Sequence, residues 1–143
     1  MNPWPVIATA LTSALLLASG PALLSAQVCQ DEEVMVGDFT KALADLAETV
    51  KKESLADFEK FHHQRSAATK MSLLGGFVEG LLNCLQSHAS DPATLKEDAD
   101  AAKRKIEVYS KLKEKIKQDR DALKAAQTEK EAKTVIEKLS YPK

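Results

Sequence analysis

Apolar residues recur at helical spacing over most of this chain and sort it into amphipathic stretches behind an uncharged leader. In residues 33–52, Val36, Phe39, Leu43, Leu46 and Val50 advance by alternating threes and fours, which is the apolar stripe of a helix. Asp31-Glu32-Glu33 stands at the end where the helix dipole favours acid, and Lys51-Lys52 at the end where it favours base. The pattern predicts a helix over 33–52.

The next stretch, 55–87, opens on Ser54 with Asp57 answering it, a variant of the capping box. Leu55, Phe58, Phe61, Ala68, Met71, Leu74, Val78, Leu81, Leu82 and Leu85 follow at helical spacing. Gly75-Gly76 interrupts them; two adjacent glycines cost a helix interior about 2 kcal/mol relative to alanine, so they mark a kink, a break or a close helix approach. Ser90, Asp91 and Pro92 then form a helix-start signal, two capping residues ahead of a first-turn proline.

The stretch 92–126 carries a heptad, with Leu95, Ala102, Tyr109, Ile116 and Leu123 on one register and Ala99 and Ile106 on the other. Lys113 and Arg120 continue the second register, so the seam is charged in its lower half. Helices over 55–87 and 92–126 would each be about 50 Å long, and matched lengths across a short turn at 87–92 predict an antiparallel hairpin. Past Ala126 the heptad fails, and Thr128 with Glu131 starts a last helix over 128–139 whose stripe is Ala132, Val135, Ile136 and Leu139. No strand pattern or repeat interrupts the series. The fold class expected is all-α: an antiparallel bundle of four to five helices built on a long helical hairpin, with coiled-coil character in its seam.

Residues 1–30 contain no charged side chain. The mostly apolar run from Val6 to Leu17, the breaker Gly20-Pro21 and then Leu24-Ser25-Ala26 give the order of a secretory signal peptide, although its start lacks Lys or Arg and Leu24 is large for its place. Cleavage is expected after Ala26, with Gly20 and Ala22 as alternative sites, leaving 27–143 as one domain; an uncleaved membrane anchor is the competing reading. Export implies an oxidising compartment, where Cys29 and Cys84 would pair. Geometry agrees. An antiparallel fold-back sets residue 33 level with 74, and an extended segment of about 13 Å from 33 back to 29 reaches the level of Cys84.

Chemistry is sparse. Glu59 and His62 have the Glu-x-x-His spacing of di-iron carboxylate bundles, but no second copy exists to complete such a site. His62 and His63, being adjacent, diverge by about 100° on a helix. No phosphate loop accompanies Gly75-Gly76, and no Ser/His/Asp or Cys/His pattern stands out. The chain therefore reads as non-enzymatic, with no metal or cofactor expected.

Charge is uneven although the formal net charge is only −1. Residues 27–59 hold nine acids against three bases, and residues 101–120 hold eight bases against three acids. Lys103, Arg104, Lys105, Lys111 and Lys115 form a candidate basic patch for anionic lipid or glycan, or else the face that meets the acidic first helix. Nucleic acid is not an expected partner of an exported chain without aromatics among its bases.

Phe77, Val78, Leu81, Leu82 and Leu85 form the densest apolar face, near the tip of the hairpin. If the flanking helices cover only the lower half, this face is open and docks a protein partner, a second copy or lipid; otherwise it is core. The functions that follow are an exported interaction module binding a partner or itself through 74–102, an extracellular carrier of apolar ligand or membrane-surface binder, or a helical inhibitor of an extracellular enzyme.

Overall fold

A computed structural model of the chain describes residues 28–142, so the expected signal peptide, 1–26, lies outside the described residues. Among the described residues there are five helices and no strand: α1 (Gln30–Lys52), α2 (Leu55–Lys60), α3 (His63–Ser90), α4 (Lys96–Ala125) and α5 (Glu129–Glu137). The all-α antiparallel bundle is therefore as expected. α3 is its central rod, packed along both α1 and α4, while α5 touches all four other helices. Phe58, Leu43, Met71, Leu74, Val78, Leu81, Val50 and Ile136 are the largest fully buried side chains, and they come from every helix except α4.

Two of the expected caps form. The Ser54 hydroxyl accepts from the Asp57 amide at 3.1 Å, and the Thr128 hydroxyl accepts from the Glu131 amide at 3.2 Å. α1 begins earlier than its apolar stripe suggests, at Gln30, directly after Cys29, which takes a left-handed backbone with φ 63°. The uncharged polar Gln30 and the acids at 31–33 suit a first turn, so the helix runs back to the bonded cysteine instead of ending in an extended tail.

The arm expected over 55–87 is broken, but not at the glycines. The break lies at Phe61-His62, where His62 is left-handed at φ 53°, a conformation His tolerates better than most residues. A compact cluster holds this corner. Phe58 is fully buried, the His63 ring sits 5.9 Å from both Phe58 and Phe61, and His63 Nε2 lies 2.6 Å from a Glu53 carboxylate oxygen. Packing at this corner, a tertiary effect, outweighs the helical periodicity that runs through it.

Gly75 and Gly76 lie within an unbroken α3. A Cβ at Gly75 would meet only Ile116 Cγ2 at 4.0 Å, an ordinary contact, and one at Gly76 would meet nothing within 4 Å. Neither glycine is required by the fold. Gly76→Ala is therefore expected to raise unfolding stability by about 1 kcal/mol, read as a higher urea midpoint at unchanged slope; a loss of stability would show that the site needs glycine.

The turn of the hairpin also differs from expectation. α3 runs through Ser90, and Asp91 caps its C-terminus instead of starting α4. The Asp91 carboxylate accepts from the Ala93 amide at 2.8 Å and its carbonyl accepts from the Thr94 amide at 3.0 Å. That local turn uses the side chain that would otherwise cap the next helix. α4 begins at Lys96, and Leu95, the first residue of the predicted heptad, is left 60% exposed outside the seam.

Cys29 and Cys84 are bonded, at a Cα–Cα distance of 5.9 Å. The pairing is as expected, although the levels of the two helices differ from the simple fold-back in two compensating ways. α2 leaves the arm and shifts α1 towards the hairpin tip, which makes up for the extended segment that turns out to be helix.

That same shift closes the expected docking face. Val78 and Leu81 are fully buried, Leu85 is 3% and Leu82 7% exposed, and Phe77 is half-buried against Phe39 with ring centroids 5.2 Å apart. α1 covers the face on one side; on the other, Ala102 of α4 borders Leu85. The 77–85 face is core, and the expectation of an open docking surface there is corrected.

Candidate functional site

α1 and α4 both pack along α3 and run in the same direction, since each is antiparallel to it. They are tied near the hairpin tip by one acid. Glu33 accepts from Lys105 Nζ at 2.9 Å and from the Tyr109 hydroxyl at 3.1 Å. Burial, reinforced by the Glu33 carboxylate, pushes the Tyr109 phenol up to about 12. The acidic first helix and the basic fourth thus meet through this contact, one of the two readings of the charge asymmetry.

Below that tie the two helices leave a groove of about 570 Å³. α1 lines it with Val36, Gly37, Thr40 and Ala44, and α4 with Val108, Tyr109 and Leu112. Three small residues on α1 keep that wall low. A Cβ at Gly37 would meet nothing within 4 Å and would stand in the open space of the groove. Val108 is 55% exposed at the groove, whereas Val36 and Leu112 beneath it are buried.

The end of the chain completes the lower wall. After α5, Tyr141 and Pro142 enter the groove. The Tyr141 ring is buried under Lys115 Nζ, 5.4 Å from the ring centroid, and its hydroxyl faces Asp119. Burial raises the Tyr141 phenol far above its ordinary range, and the Asp119 carboxylate adds to the shift. The site is therefore built from three segments remote in sequence.

The expected basic patch is largely consumed by local pairs. Lys103 reaches Asp100 at 3.3 Å, Lys105 reaches Glu33, Lys111 reaches Glu107 at 2.9 Å, and Lys115 reaches Asp119 at 3.0 Å. Arg104 alone of the five makes no ion pair among the described residues. Glu59 and His62 border a shallow depression, and among the described residues no group of three or more His, Cys, Asp or Glu could hold a metal ion. His88 sits in the last turn of α3, its Nδ1 3.4 Å from the Thr94 hydroxyl.

Sequence reasoning missed the groove, its small-residue wall at Gly37, Thr40 and Ala44, and the apolar residues Val108, Leu112 and Tyr141. Leu112 falls between heptad positions, and Tyr141 follows the last apolar stripe. The available signal was the run of small residues at Gly37, Thr40 and Ala44, a second face of α1 unsuited to a packed core and unusually low for a solvated one. No family model matches the chain, and neither a curated protein nor a solved structure matches it.

Proposed function

We propose that this is an exported, non-enzymatic helical protein that binds an apolar molecule in the groove between α1 and α4. The observation that carries this reading is the groove itself, an apolar concavity of about 570 Å³ left open along two otherwise well-packed helices. Its size falls within the roughly 300–1,000 Å³ of small-molecule sites, and aliphatic and aromatic walls with a few polar groups are their usual lining. Export is supported by the uncharged apolar segment at 1–30 and by the Cys29–Cys84 pair. Among the described residues no helix is long and apolar enough to cross a membrane. Docking of a partner or a second copy through 77–85 would require opening the core, so the carrier reading takes precedence over the interaction module.

The test is titration of an uncharged polarity-sensitive fluorophore into the disulfide-bonded protein. Saturable emission enhancement is expected. Gly37→Phe, which places a ring in the groove without meeting the core, should weaken it at least tenfold while unfolding stability is retained or raised. Val108→Asp, at an exposed position on the groove wall, should do the same with helix content unchanged. Binding that survives both substitutions would place the fluorophore elsewhere and reject the groove.

A further inference from the structure

The polar groups around the groove narrow the kind of molecule it can take. Four charged side chains line it, Glu33, Lys41, Asp45 and Glu48, and each already has a partner. Glu33 holds Lys105 and Tyr109, Lys41 pairs with Asp45 at 2.5 Å, and Glu48 pairs with Lys51 at 2.5 Å. These pairings hold the Glu48 carboxyl below its ordinary range and raise the Lys41 ammonium above its own. Two of the three hydroxyls are also engaged, and the third, on Tyr141, is buried facing Asp119 without a hydrogen bond to it. Tyr109 donates to Glu33, and Thr40 donates to the Gly37 carbonyl at 2.8 Å.

An ionised head group entering this groove would find no unpaired charge of opposite sign in its lining, and would have to compete with or share a partner already in place. An uncharged molecule displaces none. The lining of α1 runs from Glu33 to Glu48, about 22 Å at 1.5 Å per residue, so the site is a slot and not a round cavity.

Building on the carrier reading above, we propose that the groove selects an uncharged, elongated aliphatic molecule, such as a long-chain alcohol or ester, over an ionised fatty acid of the same length. Lys41 is the residue that would otherwise recognise a carboxylate, and Asp45 is the positioning residue that withholds it. Asp45 therefore sets specificity without being a ligand contact for the preferred molecule.

The experiment is competition of 1-dodecanol and of dodecanoate at pH 8 against the bound fluorophore, using the disulfide-bonded protein and Asp45→Ala. Wild type should bind dodecanol at least about tenfold more tightly than dodecanoate, a tenfold ratio corresponding to 1.4 kcal/mol. Simple partitioning also favours the alcohol, so the deciding result is the variant. Asp45→Ala frees Lys41 and should improve dodecanoate binding several-fold more than it changes dodecanol binding, so that the ratio of the two affinities shifts towards the carboxylate. Equal wild-type affinities, or a ratio that Asp45→Ala does not move, would overturn the selectivity while leaving the groove as a binding site. If neither the fluorophore nor either competitor binds, the carrier reading itself fails, and the proposed selectivity with it.

Discussion

Leu81→Asp is expected to abolish cooperative folding. Leu81 is fully buried midway along α3, the helix against which both α1 and α4 pack. A carboxylate there must either remain charged in an apolar interior or take up a proton, and the substitution also forfeits the leucine's own burial. Loss of a buried leucine alone costs about 2–5 kcal/mol, and burial of an unpaired charge adds several more. A domain of this size has about 5–15 kcal/mol in total. Circular dichroism should show most of the helix signal lost at 25 °C, with no cooperative thermal transition. A variant with native helix content and a normal transition would show that the 77–85 face is solvent-facing after all and would reverse the correction made above.

Removing the disulfide should be the next largest effect. Cys29 and Cys84 are separated by 55 residues, and closing a loop of that size stabilises by about 4 kcal/mol in the chain-entropy treatment. For a domain of this length that corresponds to a fall in Tm on the order of 15 °C. The measurement is the thermal transition of Cys29→Ala/Cys84→Ala beside that of the parent, both collected from the medium of expressing cells. Intact mass of the parent should give a chain starting at Gln27 with no free thiol. The consequence for the groove is local. The start of α1 is held by the disulfide, by the Phe39–Phe77 contact and by the Glu33 tie, so the double variant should lose fluorophore binding at temperatures where its helix content is still native. Unchanged Tm would show that packing alone holds α1 in place.

These two results bear on different levels of the structure. Leu81 reports on the central core, which α3 shares with both neighbours. The disulfide reports on how the rim of the groove is kept in register. Gly76, by contrast, reports only on helix propensity, because no other atom lies near the place its side chain would occupy.

Much of the helical content was legible without coordinates, and the reasons are local. An apolar stripe of period 3.6, acid ahead of a helix and base at its end, and a Ser or Thr with an acid three residues on are each decided within a few residues. That is why α1, α5 and the caps at Ser54 and Thr128 match their sequence signals so closely. The disulfide was legible for a different reason: with only two cysteines in the chain, an oxidising compartment would leave one intramolecular pairing to consider.

The same local rules misplaced the breaks. They favoured Gly75-Gly76, a weak spot in propensity, over Phe61-His62, which has none. Phe58, Phe61, His63 and Glu53 cluster around the corner at His62, and Phe58 is fully buried on a helix that packs against α5, a partner remote in sequence. Asp91 was ambiguous in the same way, since one side chain can start a helix or close a turn, and the backbone on either side decides.

By itself, then, the chain determined which segments are helical, roughly how long they are, and that two cysteines would join the first to the third. Tertiary structure alone decided that the 77–85 face is core, that α1 and α4 stand apart, and that Tyr141 and Pro142 enter the gap between them. The division has one physical cause: periodicity records that a residue faces apolar surroundings, but not whether they come from its own chain or from a ligand.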